Sequence, residues 1–402
     1  MQQAQHFIDG KWQGNGQWAD SLDPANGELI GRFADGGEAQ ARAAVDAAVR
    51  AFENPQWSQN PRLRQQLMLD WAAALKGRQE ALAQLLTREN GKALAQSRGE
   101  IGGAISEILY YAGLARHNPG HVLEVAPGEF STMLREPAGV AGLIIPWNAP
   151  AVLLVRALAP ALAAGCTCVV KPASQTALFT ADFLAPLLEL PGLAPGVVNL
   201  FAETGHSGAA HLVATPKVDV LSFTGSTATG TRIMQDAAPT MKKLSLELGG
   251  KSCCLVLDDA DVATVAPKLA AAATIISGQQ CTAARRVLVH ASRSAEMKQA
   301  LAVALSEIRL GHGLDAATQM GPLIDQESCE RVEQRIRESM DSCDEVVLAG
   351  GRPGGALDSG AFLSPTLIAH QDSGAFFCQE EIFGPLLVLE TFEDEAEAVR
   401  RA

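Results

Sequence analysis

The spacing of apolar residues changes twice along the chain, and each change predicts a different kind of element. From residue 7 to about residue 26, short apolar pieces alternate with the turn residues Asp9-Gly10 and Gly14-Asn15-Gly16, which predicts small strands. From residue 38 to 117 the spacing becomes helical. Leu67, Trp71 and Leu75 recur every four residues, as do Leu82 and Leu86, so these helices carry one buried stripe. Pro119-Gly120 and Pro127-Gly128 punctuate residues 117–135, predicting a two-stranded excursion.

Beyond Val140 short apolar runs alternate with helical stretches. Strands are predicted at 140–145, 167–170, 197–201, 218–223 and 244–246, with helices near 152–164, 180–188, 208–214 and 229–237. Nearly continuous apolar strands between helices belong to a parallel sheet covered on both faces. Ligands bind such sheets beyond the carboxyl ends of the strands. A second α/β unit opens near Gly249, with a strand at 252–257, a helix at 262–276, a strand at 286–290 and a helix at 295–308. Near the end, Phe392-Glu393-Asp394-Glu395 opens a helix that reaches Arg401, with acidic residues in its first turn.

Composition narrows the function classes. The chain has 402 residues, 47% of them hydrophobic, enough for two domains with sizeable cores. A net charge of -13 argues against a nucleic-acid surface. The start, Met1-Gln2-Gln3-Ala4-Gln5-His6, has no basic or apolar export signal. The longest apolar stretch, 149–170, is broken by Pro150, Arg156 and Pro160, so no membrane partner is expected. Eight cysteines without a CxxC pair or an HExxH string predict reduced thiols, a cytoplasmic setting and no metal site. Cys166 and Cys168 share the face of an apolar strand and read as packing; Cys253 and Cys254 also read as strand residues.

Cys281 differs, because it follows Ser277-Gly278-Gln279-Gln280 rather than a β-branched run. Thirty-four residues upstream lies Glu247, in Leu246-Glu247-Leu248-Gly249-Gly250-Lys251. A thiol and a carboxylate in Gly-flanked turns suit a nucleophile and a water-activating base, although each alone also suits packing or a salt bridge. Pro146-Trp147-Asn148-Ala149-Pro150 holds an amide in a stiff turn, bonded locally or facing a cleft. Phe223-Thr224-Gly225-Ser226 is a strand-to-helix turn, read either as an anion site or as a plain helix entry. Lys171-Pro172-Ala173-Ser174 places a lysine after a buried strand, where it is costly unless it reaches a cleft.

These strings, in this order, resemble the aldehyde dehydrogenase superfamily from about Phe7 to the last residue. The resemblance implies residues 1–117 and 138–247 as a Rossmann-like cofactor domain, 118–137 as a bridging and oligomerisation hairpin, and 248–402 as a second α/β catalytic domain. It implies oxidation of a small aldehyde to the acid with NAD or NADP, Cys281 as nucleophile, Glu247 as general base and Asn148 as oxyanion donor. For the cofactor it implies Gly225 and Ser226 at the phosphates, Lys171 at the adenosine ribose, Glu381 and Phe383 at the nicotinamide ribose, and further contacts from Ile145, Trp147, Ser174, Gly205 and Leu248. Glu380 reads as a surface residue. Ser174 stands where the family usually has a Glu that repels a 2′-phosphate, so dual or NADP-leaning use is expected. Tyr110, Tyr111 and Leu114 stand on the helix that lines the family's aldehyde tunnel, read either as tunnel or as core residues, and imply an uncharged or an aliphatic or aromatic aldehyde.

The family's pattern continues past Ala402 with strands, a substrate loop and a tail strand that joins a neighbouring subunit. The chain therefore reads as truncated, with a homo-oligomer (dimer or tetramer) expected if that tail is present. An inactive cofactor-binding fragment and a CoA-acylating enzyme stand as alternatives.

Overall fold

The computed structural model describes residues 2–402, and its chain divides into two compact units. The first contains Met1–Ser21, Ile30–Leu85 and Arg98–Leu248; the second contains Leu22–Leu29, Leu86–Ser97 and Gly249–Ala402. The segments 22–29 and 86–97 thus belong with the second unit, although periodicity runs on through the helices Pro61–Asn90 and Leu94–Leu114. Contacts within that unit explain it. The His312 ring meets Asp23 at 3.1 Å, and Gly91 lies so close to Pro322 that a Cβ there would sit 2.7 Å from its ring.

The first unit is built on a seven-stranded sheet. Five parallel strands come first, in the order Lys243–Glu247, Val220–Thr224, Val140–Ile145, Thr167–Pro172 and Val198–Leu200. His6–Ile8 and Lys11–Gln13 extend it antiparallel. Numbered along the chain, the five parallel strands lie in the order 5-4-1-2-3, the doubly wound arrangement. One face is covered by Glu38–Phe52, Ser207–Ala214 and Thr227–Ala237, through Val45, Ala48, Leu212 and Ile233 against Val140, Val169, Leu221 and Phe223. Pro150–Ala164 packs on the strands 140–145 and 167–172, and Trp71 meets Phe183 edge to face on Ala177–Leu188.

Local chemistry sets the ends of these elements. Pro150 starts its helix at a position where a missing N–H costs nothing, and Gly165, at φ 98°, ends it in a left-handed cap. The hairpin His121–Ala126/Glu129–Met133 is exposed along its length, with Val122, Leu123, Val125, Phe130 and Met133 all facing solvent.

The second unit has a five-stranded sheet in the order Cys253–Val256, Arg286–His290, Leu386–Phe392, Thr366–Ala369 and Glu345–Leu348, parallel except at the last edge. Its core joins Val262–Thr274 and Ser294–Ser306 to one face and Gln326–Ser342 to another cluster. The helix predicted at 262–276 ends at Thr274, because Ile276 and Ser277 turn left-handed. The strand predicted at 167–170 runs on to Pro172, so Lys171 lies within it.

Between strands 286–290 and 386–392 an ion pair is wholly buried. Arg286 clasps Glu390 with two hydrogen bonds of 2.5 and 3.0 Å, and Arg401 and Ser373 also bond that carboxylate. Burial pushes the Glu390 carboxyl up, but the bonds from Arg286 and Ser373 outweigh it and hold it below the ordinary range. Removing one partner of such a pair strands the other in the core. Glu390→Ala should therefore destabilise the unit by about 3–5 kcal/mol at neutral pH in urea unfolding. A carboxyl held low stabilises the fold above its unfolded pKa and stops doing so as pH falls through its folded value. The deficit of the variant should accordingly shrink in acid.

Candidate active site

In the first unit, sheet order decides where a ligand can enter. Neighbouring strands 140–145 and 220–224 carry crossovers that leave in opposite directions, which opens a crevice beyond their carboxyl ends. The turns that follow those strands are Pro146–Ala149 and Gly225-Ser226. Ile145 is buried, Trp147 half-buried, and Asn148 only 6% exposed. Gly225 donates its N–H to the Glu247 carbonyl at 3.0 Å, which ties this turn to the end of the adjacent strand. Glu247 is the last residue of that strand and its side chain is exposed. Leu248 packs on Gly230, where a Cβ would lie 2.6 Å from the leucine methyl.

Four helices start beyond the sheet's carboxyl end, and the N-termini of three of them differ in charge. The helix Pro150–Ala164 is met by Glu100, which accepts from the Ala151 N–H at 2.8 Å. Ser207–Ala214 is met by Glu203, which accepts from the Gly208 and Ala209 N–H groups at 2.8 and 2.9 Å. Thr227–Ala237 is capped only by the neutral hydroxyl of its own Ser226, which accepts from the Thr229 N–H. Of these three, the Gly225-Ser226 turn best accommodates an anion, and a side chain on Gly225 would strike the Phe223 ring at 2.5 Å.

Lys171 is 12% exposed along its side chain and lies 3.9 Å from Glu203. Burial lowers its ammonium pKa, and Glu203 opposes that shift. Ser174 occupies a short helical turn and bonds Gln175. Gly205 is exposed in the turn that leads into Ser207–Ala214, with open space where a side chain would go.

The second unit presents the thiol. Ile276, Ser277 and Gly278 have φ of 48°, 55° and 74°, together a single left-handed turn. Each non-glycine residue held there costs about 1–2 kcal/mol. Local bonds hold it: the Ser277 hydroxyl lies within bonding distance of the Gly321 and Pro322 carbonyls, and Gln279 donates to the Ile276 carbonyl while accepting from the Ile324 N–H. The chain leaves this turn with Cys281 exposed, the other seven cysteines being buried or half-buried.

Arg285, 2% exposed, fastens the cysteine turn to a second segment. Its guanidinium donates to the Gln280 carbonyl at 2.9 Å and the Gly384 carbonyl at 3.1 Å, and lies 3.7 Å from Glu381 and over the Phe383 ring. Burial brings its pKa down to about 10, Glu381 and Cys281 resisting. Phe383 is held left-handed at φ 59°. One Glu381 carboxylate oxygen is buried without a hydrogen-bond partner, and burial raises the group's pKa against the pull of Arg285 and Lys251. An acceptor left open in this way suits a pair of ribose hydroxyls. Lys251 donates to the Glu380 carbonyl, and burial brings its ammonium down to about 8. Glu380 itself is exposed and paired with Arg335.

The structure thus gathers Ile145, Trp147, Asn148, Lys171, Ser174, Gly205, Gly225, Ser226, Glu247 and Leu248 in the first unit, at or after strand ends. Cys281, Glu381 and Phe383 lie in the second, joined through Arg285. Sequence reasoning missed Glu203, Arg285 and Lys251. The only trace of Arg285 is a basic pair, Arg285-Arg286, placed directly before an apolar strand.

The first unit's doubly wound sheet, with an uncharged helix entry at Ser226, has the form of a nucleotide-binding domain, and the second unit displays an exposed thiol on a hydrogen-bonded turn. The comparisons make the class specific. The pattern of the aldehyde dehydrogenase family matches residues 12–402. Succinate-semialdehyde dehydrogenase [NADP(+)] GabD of Escherichia coli is 37% identical over 407 residues, covering 99% of this chain and 82% of its own. Betaine aldehyde dehydrogenase of Bacillus subtilis is 36% identical over 401 residues, covering 98% and 82%. A crystal structure of betaine aldehyde dehydrogenase from Staphylococcus aureus in complex with NAD+ superposes with a TM-score of 0.96 at 34% identity, over 100% of this chain and 80% of that one. The chain belongs to the aldehyde dehydrogenase family, and its chemistry is the NAD(P)-dependent oxidation of an aldehyde.

Gly278 needs its lack of a side chain twice, for φ 74° and because a Cβ would lie 2.3 Å from the Gly384 carbonyl oxygen. Gly278→Ala should lower the melting temperature by several degrees and reduce aldehyde oxidation by at least about tenfold, since roughly 1–3 kcal/mol of strain falls on the cysteine turn.

Proposed function

We propose that Cys281 is the nucleophile of this reaction, Glu247 its general base and Asn148 its oxyanion donor. The observation that carries the reading is the exposure of this one thiol directly after a turn fastened through Ser277, Gln279 and Gln280. The Cys281 thiolate adds to the aldehyde carbon, and the Asn148 amide with the Cys281 backbone N–H receives the negative charge on oxygen. When bound, the nicotinamide supplies the hydride acceptor. Loss of hydride from the tetrahedral adduct leaves a thioester on Cys281. Glu247 then takes a proton from water, the resulting hydroxide attacks the thioester, and the acid leaves as the thiol is regenerated.

The cofactor is held, in this reading, by Gly225 and Ser226 at the pyrophosphate, Lys171 at the adenosine ribose, and Glu381 and Phe383 at the nicotinamide ribose. Ile145, Trp147, Ser174, Gly205 and Leu248 complete its surroundings. The adjacent Tyr110 and Tyr111 rings, the first 63% exposed, favour an uncharged aldehyde. Homo-oligomer formation is supported by the apolar hairpin His121–Met133, which leaves five large side chains in water. A reducing, cytoplasmic setting agrees with eight free cysteines.

Reduction of NAD+ and NADP+ across aliphatic, aromatic and carboxylate-bearing aldehydes is the measurement. Cys281→Ala should abolish turnover with every aldehyde while cofactor binding by fluorescence is unchanged; retained turnover would remove the thiol from the mechanism. Glu247→Gln should leave a first burst of NAD(P)H intact and slow the steady rate by roughly 10²–10⁴-fold. A burst followed by an undiminished steady rate would take the base role away from Glu247.

A further inference from the structure

The negative charge that is missing at Ser174 is present elsewhere in the first unit. Glu203 follows the strand Val198–Leu200, and its carboxylate is wholly buried, 3.9 Å from the Lys171 ammonium. Both oxygens are fixed by the N–H groups that open Ser207–Ala214, so the carboxylate cannot swing away. The same corner holds a second acid. Asp35 accepts from the N–H and the hydroxyl of Thr204, each at 2.7 Å. The neighbouring His6 is buried, with its pKa lowered to about 4, and so adds no positive charge at neutral pH. Lys171 thus faces Glu203, and the start of Ser207–Ala214 is already occupied by that same carboxylate.

We propose that Glu203 makes this enzyme select NAD over NADP, taking the part played by charge at the position of Ser174. The proposal rests on the assignment of Lys171 to the adenosine ribose. An unphosphorylated ribose offers neutral hydroxyls that accept from Lys171 and carry no charge for Glu203 to repel. A 2′-phosphate brings up to two negative charges to a lysine whose own charge Glu203 already balances. Repulsion between like charges in so dry a corner is screened little by salt.

The test is fluorescence titration of NAD+ and NADP+ against the purified full chain and three variants. The unchanged protein should bind NAD+ at least about tenfold more tightly than NADP+. Glu203→Gln, which keeps the shape and loses the charge, should tighten NADP+ and close most of that gap. Glu203→Asp keeps the charge and should keep the gap even if its shorter reach lowers the melting temperature. Lys171→Met should weaken both cofactors. Equal or tighter NADP+ binding by the unchanged protein overturns the proposal, as does a folded Glu203→Gln protein with an unaltered ratio. If Lys171→Met leaves both affinities unchanged, the ribose assignment itself fails and the proposal falls with it.

Discussion

A parallel sheet buried on both faces has only its two ends open, and this constraint organises the first unit. Each strand must be followed by a crossover that returns over one face, so every turn after a strand emerges at the same end. The order 5-4-1-2-3 reverses the direction of these crossovers between strands 140–145 and 220–224. Asn148, Gly225, Ser226 and Glu247 are far apart in sequence and come together at this end because backbone pairing leaves them no alternative. Their chemistry therefore depends on strand registry more than on contacts among themselves. The hydrogen bond from Gly225 to the Glu247 carbonyl is one visible strand of that registry.

Charge is distributed by a different rule. Every helix entry at this end is a positive pole, and two of the three described above are neutralised by distant carboxylates, Glu100 and Glu203. Of those three, the entry at Ser226 carries a hydroxyl cap in place of a carboxylate and stays open to an anion. The second unit does the reverse and gathers cations: Arg285 and Lys251 flank Glu381, and Arg286 is consumed by Glu390. Buried charges are costly alone and tolerable in such sets, where each fixes the geometry of the others.

Most of the architecture was legible in the sequence because it is local. Strands 140–145 and 286–290 were read to the residue, and the helices between them to within a few positions, from periodicity and from Pro or Gly at their ends. The strings around Cys281, Glu247 and Gly225 were legible through resemblance. Long-range features were not. The left-handed turn at 276–278 puts a β-branched isoleucine where propensity argues against it, and only the bonds to Gly321, Pro322 and Ile324 account for it. Glu203 lies thirty-two residues from Lys171 in an unremarkable string, Ala202-Glu203-Thr204, and nothing in the sequence brings the two together.

The left-handed turn has a consequence for how the enzyme fails. Ile276 and Ser277 sit in a conformation that an isolated chain abandons, kept there by a few hydrogen bonds and by the contact of Gly278 with Gly384. Releasing such a segment recovers strain while most of the apolar core stays packed. Heat or mild denaturant should therefore silence the thiol while the sheet around it persists. Loss of the geometry around Cys281 and unfolding of the unit are expected as two separate events.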